Sequence, residues 1–312
     1  MKKFVILADS SCDVSPELRE EYGVKDYIQG YVHFSDGRDL RTSLDWSNIS
    51  RDEFYSALSD KRMKITTSPS SPEEYYEKFA GYAKEDYDII SISMSSCISV
   101  SYENAKKAAE RIKADYPKCE IYCVDSLRMS GSEGLLTLYA YELQKEGKSV
   151  SEVYEWLEAN KRKVHQMGPI DDLIFVARRG RISMGKAIFG SFAGVKPMGD
   201  SNSEGYVTVI TKAKGMKKAL ALTVAYVKRA AVDIENQIVY ITHSNRQEYA
   251  ENLKEMIETT LHPKKIVVSD VYTACGSNIG PGMVCSYFIG EEISEDGSKE
   301  KEMMNDAIAS LR

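Results

Sequence analysis

Short apolar runs alternate with helix-length segments along the first half of the chain, and this alternation constrains the fold more than any other feature. The runs FVILA, DIISIS and IYCVD begin at Phe4, Asp88 and Ile121, and a helical segment follows each of them. One helix start, at Ser71–Glu74, has the form of a capping box with proline at the first helical position. This alternation predicts right-handed βαβ units and a mostly parallel sheet.

The pattern changes near residue 165. The strand-like stretches VKPMGD and GYVTVITKAK flank the polar turn SNSEG and predict a hairpin, and two further strands flank the helical segment RQEYAENLKEMIETTL. A chain of 312 residues is long enough for two domains. We therefore predict an α/β fold of two domains. Residues 1–165 form a mostly parallel βαβ sheet flanked by helices, and residues 166–312 form a smaller α/β domain with a mixed sheet.

Charge and hydropathy exclude several classes of protein. The net charge of −6 and the pI near 5.5 argue against a nucleic-acid partner. The chain has no run of about 18 apolar residues, so we expect no membrane span and only transient membrane contact. The apolar run after Lys3 is too short for a secretion signal, and this predicts a cytoplasmic location.

Cysteines and histidines show no spacing typical of metal ligands. The six cysteines contain no CxxC pair, and we expect them to be free thiols. The histidines, His33, His165, His243 and His262, are scattered along the chain. We predict no metal site and no cofactor.

Hydroxyl side chains follow two predicted strands. Ligands of open α/β sheets bind beyond the carboxyl ends of the strands, and this rule selects the loops 9–13, 66–71, 95–101 and 125–132. Each hydroxyl run precedes a helix start, where free backbone N–H groups favour an anion. Taken singly, each residue is also explained as a helix cap or turn residue. The strongest candidates are Thr67, Ser68, Ser95 and Ser96.

Two further segments are candidates for anion binding. Arg181 belongs to the basic cluster at 178–181, whose guanidinium groups suit an anionic head group or phosphate, although composition alone favours a solvated helix end. The glycine-rich segment 276–282, which contains Gly280 and Gly282, is an anion nest, a path for close backbone approach, or an ordinary turn leading into a strand. A nucleophilic triad is not indicated, because the chain has no GxSxG and no histidine near a serine-rich loop of the first domain.

Taken in order, several short motifs resemble those of the DegV family of bacterial fatty-acid-binding proteins. They correspond to the family's D-S-x-x-D turn, T-S-Q-P-S signature, S-S-x-L-S-G-T turn, G-R-I-S motif, K-P element and H-T-G-P-G loop. The resemblance covers nearly the whole chain. The matching segments are Asp9–Asp13, Thr67–Pro72, Ser95–Ser101, Gly180–Ser183, Lys196–Pro197 and Asn278–Gly282.

The resemblance implies two α/β domains with a long-chain fatty acid between them. The carboxylate would contact the hydroxyls of Thr67, Ser68, Ser95 and Ser96. The chain would be a carrier that presents the acid to a separate fatty-acid kinase, and not itself an enzyme. The acyl tail would run into the second domain, where the candidate tunnel residues are Phe175, Ile188, Phe189, Phe192, Val195 and Met198.

Three positions depart from the family pattern. Asn278 stands where the family has histidine, and asparagine donates a hydrogen bond but never becomes a cation. Val100 replaces the glycine of the S-G-T turn, and Lys214 stands where arginine is common. The full set of predicted ligand-binding residues is Thr67, Ser68, Ser95, Ser96, Arg181, Asn278, Gly280 and Gly282.

Two other functions stay open from the residues alone. A two-domain α/β protein with Asp-Ser turns and a basic cluster is compatible with a small-molecule phosphotransferase or a hydrolase. The change to Asn278 is compatible with a degenerate paralogue that serves a regulatory role.

Overall fold

The computed structural model describes residues 2–182 and 194–311. Its N-terminal half alternates strands and helices, as the apolar runs predict. The elements of this half are β1 (Phe4–Ala8), α1 (Pro16–Tyr22), β2 (Tyr31–Phe34), β3 (Asp39–Arg41), α2 (Arg51–Ser59), β4 (Ile65–Ser68), α3 (Pro72–Lys84), β5 (Asp88–Ser93), α4 (Ser101–Asp115), β6 (Ile121–Asp125), α5 (Gly131–Lys145) and α6 (Val150–Asn160).

The C-terminal half begins with a short strand that contains residue 165, the predicted domain boundary. The elements of this half are β7 (Val164–Met167), α7 (Leu173–Arg178), β8 (Val195–Ser201), β9 (Val207–Lys214), α8 (Met216–Ala230), β10 (Ile238–His243), α9 (Gln247–Leu261), β11 (Lys265–Asp270), α10 (Thr273–Ile279), β12 (Val284–Ile289) and α11 (Ser298–Ser310).

The strands of the N-terminal half form two sheets. Strands β1, β5 and β6 form a parallel sheet in the order β1–β5–β6, with Ile6 opposite Ile90. Strands β3, β2 and β4 form a separate antiparallel sheet in that order. The expectation that the loop 66–71 follows a strand of the parallel sheet is therefore wrong. Strand β4 pairs instead with β2, one arm of the hairpin that turns at Gly37 (φ +93°), a backbone conformation that suits glycine.

The sheet of the C-terminal half is mixed, as predicted. Its order is β11–β10–β12–β7, with β10 parallel to β11 and antiparallel to β12. Strand β7 pairs antiparallel with β12 and forms one edge of this sheet. Strands β8 and β9 form the predicted hairpin around residues 202–206. The α/β fold class is confirmed, whereas the division into two domains stays a prediction.

Helix α5 lies in the core between the two halves. It contacts β1 on one side and β10 and β12 on the other, and Leu135 and Leu136 are fully buried there. Burial of each such side chain stabilises the fold by about 1.5–3 kcal/mol. A β-carbon at Gly134 would lie 2.3 Å from the Cys12 carbonyl oxygen and 2.6 Å from Tyr240 Cε1. The glycine therefore permits the close approach of α5 that joins the halves into one core.

Local signals in the sequence correctly mark several helix starts. Ser71 caps α3 in a reciprocal capping box with Glu74, and Ser15 caps α1 just before Pro16. The glycine-rich segment is different from the prediction, because Thr273–Ile279 forms helix α10 rather than a loop. Gly276 lies inside this helix, where a β-carbon would come within 2.8 Å of Phe54 Cε1. Close packing on α2, and not turn formation, explains this glycine. The sequence MGKAIFGSFAG at 184–194 also predicts a short helix, but this segment lies almost entirely outside the described residues.

Candidate functional site

A cavity of about 450 Å³ lies where the strand-end loops of the N-terminal half meet the C-terminal half. Its size falls within the range of about 300–1,000 Å³ found for small-molecule sites. Residues from all four loops selected by the strand-end rule line it, together with residues of α7 and α10. The strand-end rule thus found the loops, although it placed β4 in the wrong sheet.

Thr67 and Asn278 line the cavity and contact each other. Asn278 Nδ2 donates to Thr67 Oγ1 over 3.1 Å and to the Ala274 carbonyl oxygen over 3.2 Å. Because Thr67 Oγ1 accepts from Asn278, the hydroxyl hydrogen of Thr67 is free to donate to a bound acceptor. The structure therefore brings together two predicted site residues that are 211 positions apart in the sequence.

Ser68 also lines the cavity, and a histidine holds its hydroxyl. His33 Nε2 lies 2.8 Å from Ser68 Oγ, and His33 Nδ1 lies 2.7 Å from Asp39 Oδ1. The expectation that no histidine approaches a serine-rich loop of the first domain is wrong. Sequence separation hid this contact, which arises because β2 lies between β3 and β4 in the antiparallel sheet.

Ser95 and Ser96 take different positions. Ser96 is exposed and lines the cavity, and its backbone N–H donates to Asp125 Oδ1 over 3.1 Å. Ser95 is fully buried and is not among the described residues that line the cavity. Its hydroxyl donates to the Gly205 carbonyl oxygen over 3.2 Å and accepts the Cys97 N–H over 3.3 Å. In this arrangement Ser95 fixes the turn against the β8–β9 hairpin.

Arg181 reaches the cavity, but the two predicted glycines do not belong to its described lining. Arg181 lines the cavity while its Nη1 donates to the Arg179 carbonyl oxygen over 2.7 Å. Gly280 and Gly282 have positive φ values of +76° and +104° at the end of α10. A β-carbon would lie 2.8 Å from Phe175 Cδ1 at Gly280 and 2.2 Å from an Asp171 carboxylate oxygen at Gly282. Backbone conformation and close packing account for both glycines.

The apolar wall of the cavity differs from the predicted tunnel. Phe175 packs toward α2 and under the Arg179 guanidinium, and Met198 is buried in the C-terminal core. Neither they nor Val195 are among the described lining residues, whereas Ile188, Phe189 and Phe192 lie outside the described part of the chain. Single-sequence periodicity does not show which buried face borders a void. Apolar residues that do line the cavity include Ile28, Met94, Ile170, Val176, Ile279 and Met283.

Buried carboxyl groups lie at the cavity and beneath it, and the sequence does not predict their burial. Asp9 lines the cavity and accepts hydrogen bonds from the Tyr75 hydroxyl over 2.6 Å and the Met94 N–H over 3.2 Å. Burial raises the pKa of Asp9 to about 6 and that of Asp13 to about 8. Burial also raises the pKa of Glu133, which accepts from the Ser11 hydroxyl over 2.7 Å. The residue pattern D-S-x-x-D identified the turn but not its low exposure.

Across 2–182 and 194–311, no three or more His, Cys, Asp or Glu side chains are grouped so that they could hold a metal ion. Within the same ranges, no helix has the length and apolar character needed to cross a membrane.

The fold and the cavity together define a class: α/β proteins in which hydroxyl-bearing turns and an apolar wall enclose a ligand-sized space between two halves of the chain. The family model described as "Uncharacterised protein, DegV family" matches residues 3–291. The chain belongs to the DegV family. A relative in Clostridium perfringens, the DegV domain-containing protein CPE0026, is 32% identical over 291 residues, which cover 93% of this chain and 99% of the relative.

Solved structures of the same family have the same fold. One is a DegV family protein from Thermus thermophilus, for which fatty acid binding is described. It is 25% identical with a TM-score of 0.82, and the match covers 93% of this chain and 100% of that chain. The Streptococcus pneumoniae Fatty Acid Kinase (Fak) B3 protein, loaded with linoleic acid, is 18% identical with a TM-score of 0.79, covering 93% of this chain and 100% of that chain. At 18% identity the likeness to the second protein concerns the fold alone.

Proposed function

We propose that this protein binds one long-chain fatty acid in the cavity. The observation that carries the proposal is a space of about 450 Å³ lined by Thr67 and Ser68 and by apolar residues such as Met94, Ile170 and Val176. The carboxylate lies against residues of the N-terminal half, 1–165, and the acyl tail extends toward residues of 166–312. The fatty acid binding described for the Thermus thermophilus relative supports this assignment.

The physical chemistry of the cavity suits such a ligand. Burial of a methylene contributes about 0.8 kcal/mol, so a tail of roughly 14 methylenes contributes on the order of 10 kcal/mol before ordering costs. A hydrogen bond from a hydroxyl to a carboxylate contributes about 1.5–3 kcal/mol. The tail therefore sets most of the affinity, and the hydroxyls set the orientation. Thr67, Ser68, Ser96 and Asn278 are the proposed head-group residues, and Arg181 is a further candidate because it also lines the cavity.

The proposed role is that of a cytoplasmic carrier. The fold is shared with the Streptococcus pneumoniae Fak B3 protein, a component of a fatty acid kinase. By this proposal the chain presents the bound acid to a separate kinase and does not itself catalyse a reaction. Exposure of Ser96 at the cavity is consistent with a head group that a partner can reach.

Mass spectrometry of the purified protein tests the proposal. The expected result is a native mass that exceeds the chain mass by one long-chain fatty acid, and release of that acid on denaturing extraction. If the purified protein carries no fatty acid, it is mixed with oleic acid, and uptake of one equivalent is expected. A protein that is empty and takes up no long-chain acid contradicts the proposal.

One observation favours a second candidate, an acyl-ester hydrolase. Asp39, His33 and Ser68 form a carboxylate–imidazole–hydroxyl chain, the order found in serine hydrolases, and Ser68 borders the cavity. In such a reaction Ser68 Oγ attacks the acyl carbonyl, His33 passes the serine proton to the leaving alcohol, and water then releases the acid. Hydrolysis of p-nitrophenyl dodecanoate that disappears in Ser68→Ala would establish the hydrolase, and absence of turnover in the unaltered protein would exclude it for this substrate class.

A further inference from the structure

One wall of the cavity carries a buried amide whose hydrogen-bonding capacity is almost unused. Gln166 on β7 is 9% exposed and lines the cavity. Within residues 2–182 and 194–311 its Nε2 has no hydrogen-bond partner, and its Oε1 has one contact, with Ser132 Oγ at 3.5 Å. The Ser132 hydroxyl already donates its single hydrogen to the Met129 carbonyl oxygen over 2.6 Å. Both ends of the Gln166 amide are therefore available to a ligand.

Strand register places the Gln166 side chain on the cavity face of its sheet. Gln166 pairs with Tyr287 of β12, and directly opposite residues of two paired strands point to the same face. Tyr287 lines the cavity, and so does Cys285, which lies two residues along the same strand. The contact with Ser132 places the amide beside the start of helix α5, next to Ser130, another lining residue.

A second buried glutamine shows how such an amide is usually satisfied. Gln237 is 6% exposed, its Nε2 donates to the Ile289 carbonyl oxygen over 2.8 Å, and its Oε1 accepts the Ile289 N–H over 2.8 Å. Side-chain atoms that lack a partner and are sealed from any space occur at Arg128 and Glu133, for example, but not at Gln166. The free Nε2 of Gln166 therefore retains accessible surface at the cavity.

The neighbouring polar groups on this wall are satisfied inside the protein. The Ser130 hydroxyl donates to Asp13 over 2.6 Å, and the Tyr287 hydroxyl oxygen lies 2.9 Å from Thr242 Oγ1. Among the described residues of this wall, the Gln166 amide is consequently the group that has free donor and acceptor capacity. A buried polar group left without a partner is unfavourable, so a ligand that supplies one gains affinity.

The position and chemistry of the amide define what it would bind. Thr67 lies on β4 in a different sheet, and among the described residues no hydrogen bond joins Gln166 to Thr67, Ser68 or Asn278. The amide therefore does not belong to the head-group cluster. A methylene chain offers it no partner, whereas a hydroxyl both donates and accepts and so suits either end of the amide.

We propose that Gln166 forms a second polar subsite of the cavity, and that the preferred ligand is a long-chain acid with a hydroxyl group on its chain, away from the carboxylate. This inference rests on the proposed binding of a fatty acid in the cavity. It deepens that function by naming the class of acid that the cavity selects.

Competition binding with hydroxyoctadecanoic acids tests the inference. The hydroxyl is placed at carbon 3, 7, 10 or 12, and each acid displaces the same fluorescent fatty acid from delipidated protein. At least one of the acids hydroxylated at carbon 7, 10 or 12 is expected to bind several-fold more tightly than octadecanoic acid. The 3-hydroxy acid keeps its hydroxyl beside the carboxylate and is expected to bind like octadecanoic acid.

Variants of Gln166 separate a ligand contact from a structural role. Gln166→Leu is expected to lower the preference for the best hydroxy acid over octadecanoic acid by about tenfold, because the hydroxyl loses its partner. Its urea unfolding midpoint without ligand is expected to equal or exceed that of the unaltered protein, since the amide makes no close bond. Gln166→Met, with an unbranched side chain of similar length, is expected to show the same change in preference. Gln247→Leu, at the exposed start of α9, is the matched control and keeps the original preference.

The outcomes distinguish the subsite from the proposed function. The subsite is overturned if no acid hydroxylated at carbon 7, 10 or 12 binds more tightly than octadecanoic acid. It is also overturned if both Gln166 variants bind all acids with the original preference, which would mean that the amide only holds water. Either result leaves fatty acid binding intact. Failure of octadecanoic acid, oleic acid and every hydroxy acid to bind overturns the proposed function itself.

Discussion

The side-chain amide of Asn278 donates a hydrogen bond to Thr67 Oγ1 over 3.1 Å, across a separation of 211 residues. This contact joins α10 of the C-terminal half to the end of β4 in the N-terminal half. Asparagine thereby performs one task that a histidine donor could perform at this position, which is to orient the threonine. It adds no positive charge to the head-group site. The hydroxyl of Thr67 is consequently the group expected to contact the carboxylate.

Thr67→Val is expected to weaken fatty acid binding without unfolding the protein. The variant keeps the shape of the side chain and its strand propensity but removes the hydroxyl hydrogen. Loss of one hydrogen bond to a charged group, about 1.5–3 kcal/mol, corresponds to a decrease in affinity of about 10- to 150-fold. Competition with a fluorescent fatty acid measures the affinity, and circular dichroism checks the fold.

Thr66→Val is the matched control for that experiment. Thr66 is the preceding residue of β4, is exposed, and is not among the described residues that line the cavity. Its replacement is expected to leave the affinity within about twofold, since surface substitutions usually change free energies by less than 0.5 kcal/mol. Equal affinities for the Thr67 and Thr66 variants would show that the head-group site has been misplaced.

Val176→Trp is expected to shorten the acyl chain that the cavity accepts. Val176 lies on α7, is 5% exposed and lines the cavity, so a larger side chain there occupies ligand space. Each excluded methylene costs about 0.8 kcal/mol, so loss of three methylenes weakens binding of octadecanoic acid by roughly 50-fold. Octanoic acid is expected to be affected much less.

Val232→Trp provides the comparison, because Val232 is 44% exposed and does not belong to the described cavity lining. Affinities for acids of 8 to 18 carbons, measured by the same competition assay, give the chain-length profile of each variant. A profile for Val176→Trp that coincides with that of Val232→Trp would mean that the acyl chain does not pass α7.

Asp13→Asn is expected to flatten the pH dependence of stability. Burial raises the pKa of Asp13 from 3.8 to about 8 in the folded protein. Between about pH 4 and pH 8 the folded state therefore still holds a proton that the unfolded state has already released. Stability from this group is fully present below pH 4 and decreases by about 1.4 kcal/mol per pH unit toward pH 8. Asparagine carries no such proton, and it tolerates the left-handed backbone at this position (φ +53°).

Urea unfolding at pH 6, 7 and 8 measures this difference. The carboxyl of Glu133 contributes in the same direction, because burial raises its pKa as well, so the unaltered protein and Asp13→Asn both lose stability with pH. The slope of the unaltered protein is expected to be steeper by up to about 1.4 kcal/mol per pH unit. Parallel slopes would indicate that Asp13 is ionised in the folded state.

Gly134→Ala is expected to destabilise the fold by about 1–3 kcal/mol through overpacking. The added methyl group would meet the Cys12 carbonyl and the Tyr240 ring where α5 joins the two halves. Gly81→Ala is the control, since Gly81 lies inside α3 with nothing within 4 Å of its would-be β-carbon. That variant is expected to be neutral or more stable by up to about 1 kcal/mol because alanine favours helices. Thermal unfolding of both variants tests the contrast, and equal destabilisation would count against the close approach at Gly134.

Local sequence signals predicted much of the fold. Capping by Ser71 and the fully buried run DIISIS at 88–93 act within a few residues, so a single sequence displays them. Pairing partners are set by contacts between distant segments. The sequence therefore does not reveal that β4 lies beside β2. Its glycines at 276–279 suggest a loop, whereas Gly276 lies in a helix and permits close packing against Phe54.

Only part of the candidate site is predictable from the sequence, because the rest also depends on contacts between distant segments. Hydroxyls at strand ends identified Thr67, Ser68 and Ser96 as residues near a ligand, and the structure places all three at the cavity. Ser95, one residue away, turns instead into a buried contact with Gly205, a difference that depends on backbone direction within the turn. The link between Ser68 and His33 depends on strand register, which the sequence alone does not reveal.

The position of the carboxylate tests the central claim most directly, and a crystal structure of the protein reloaded with octadecanoic acid measures it. The account predicts a carboxylate oxygen about 2.5–3.0 Å from Thr67 Oγ1, with the acyl chain passing Val176 and Met283 inside the cavity. A carboxylate bound away from the Thr67–Ser68 turn, or an acyl chain lying outside this cavity, would contradict it.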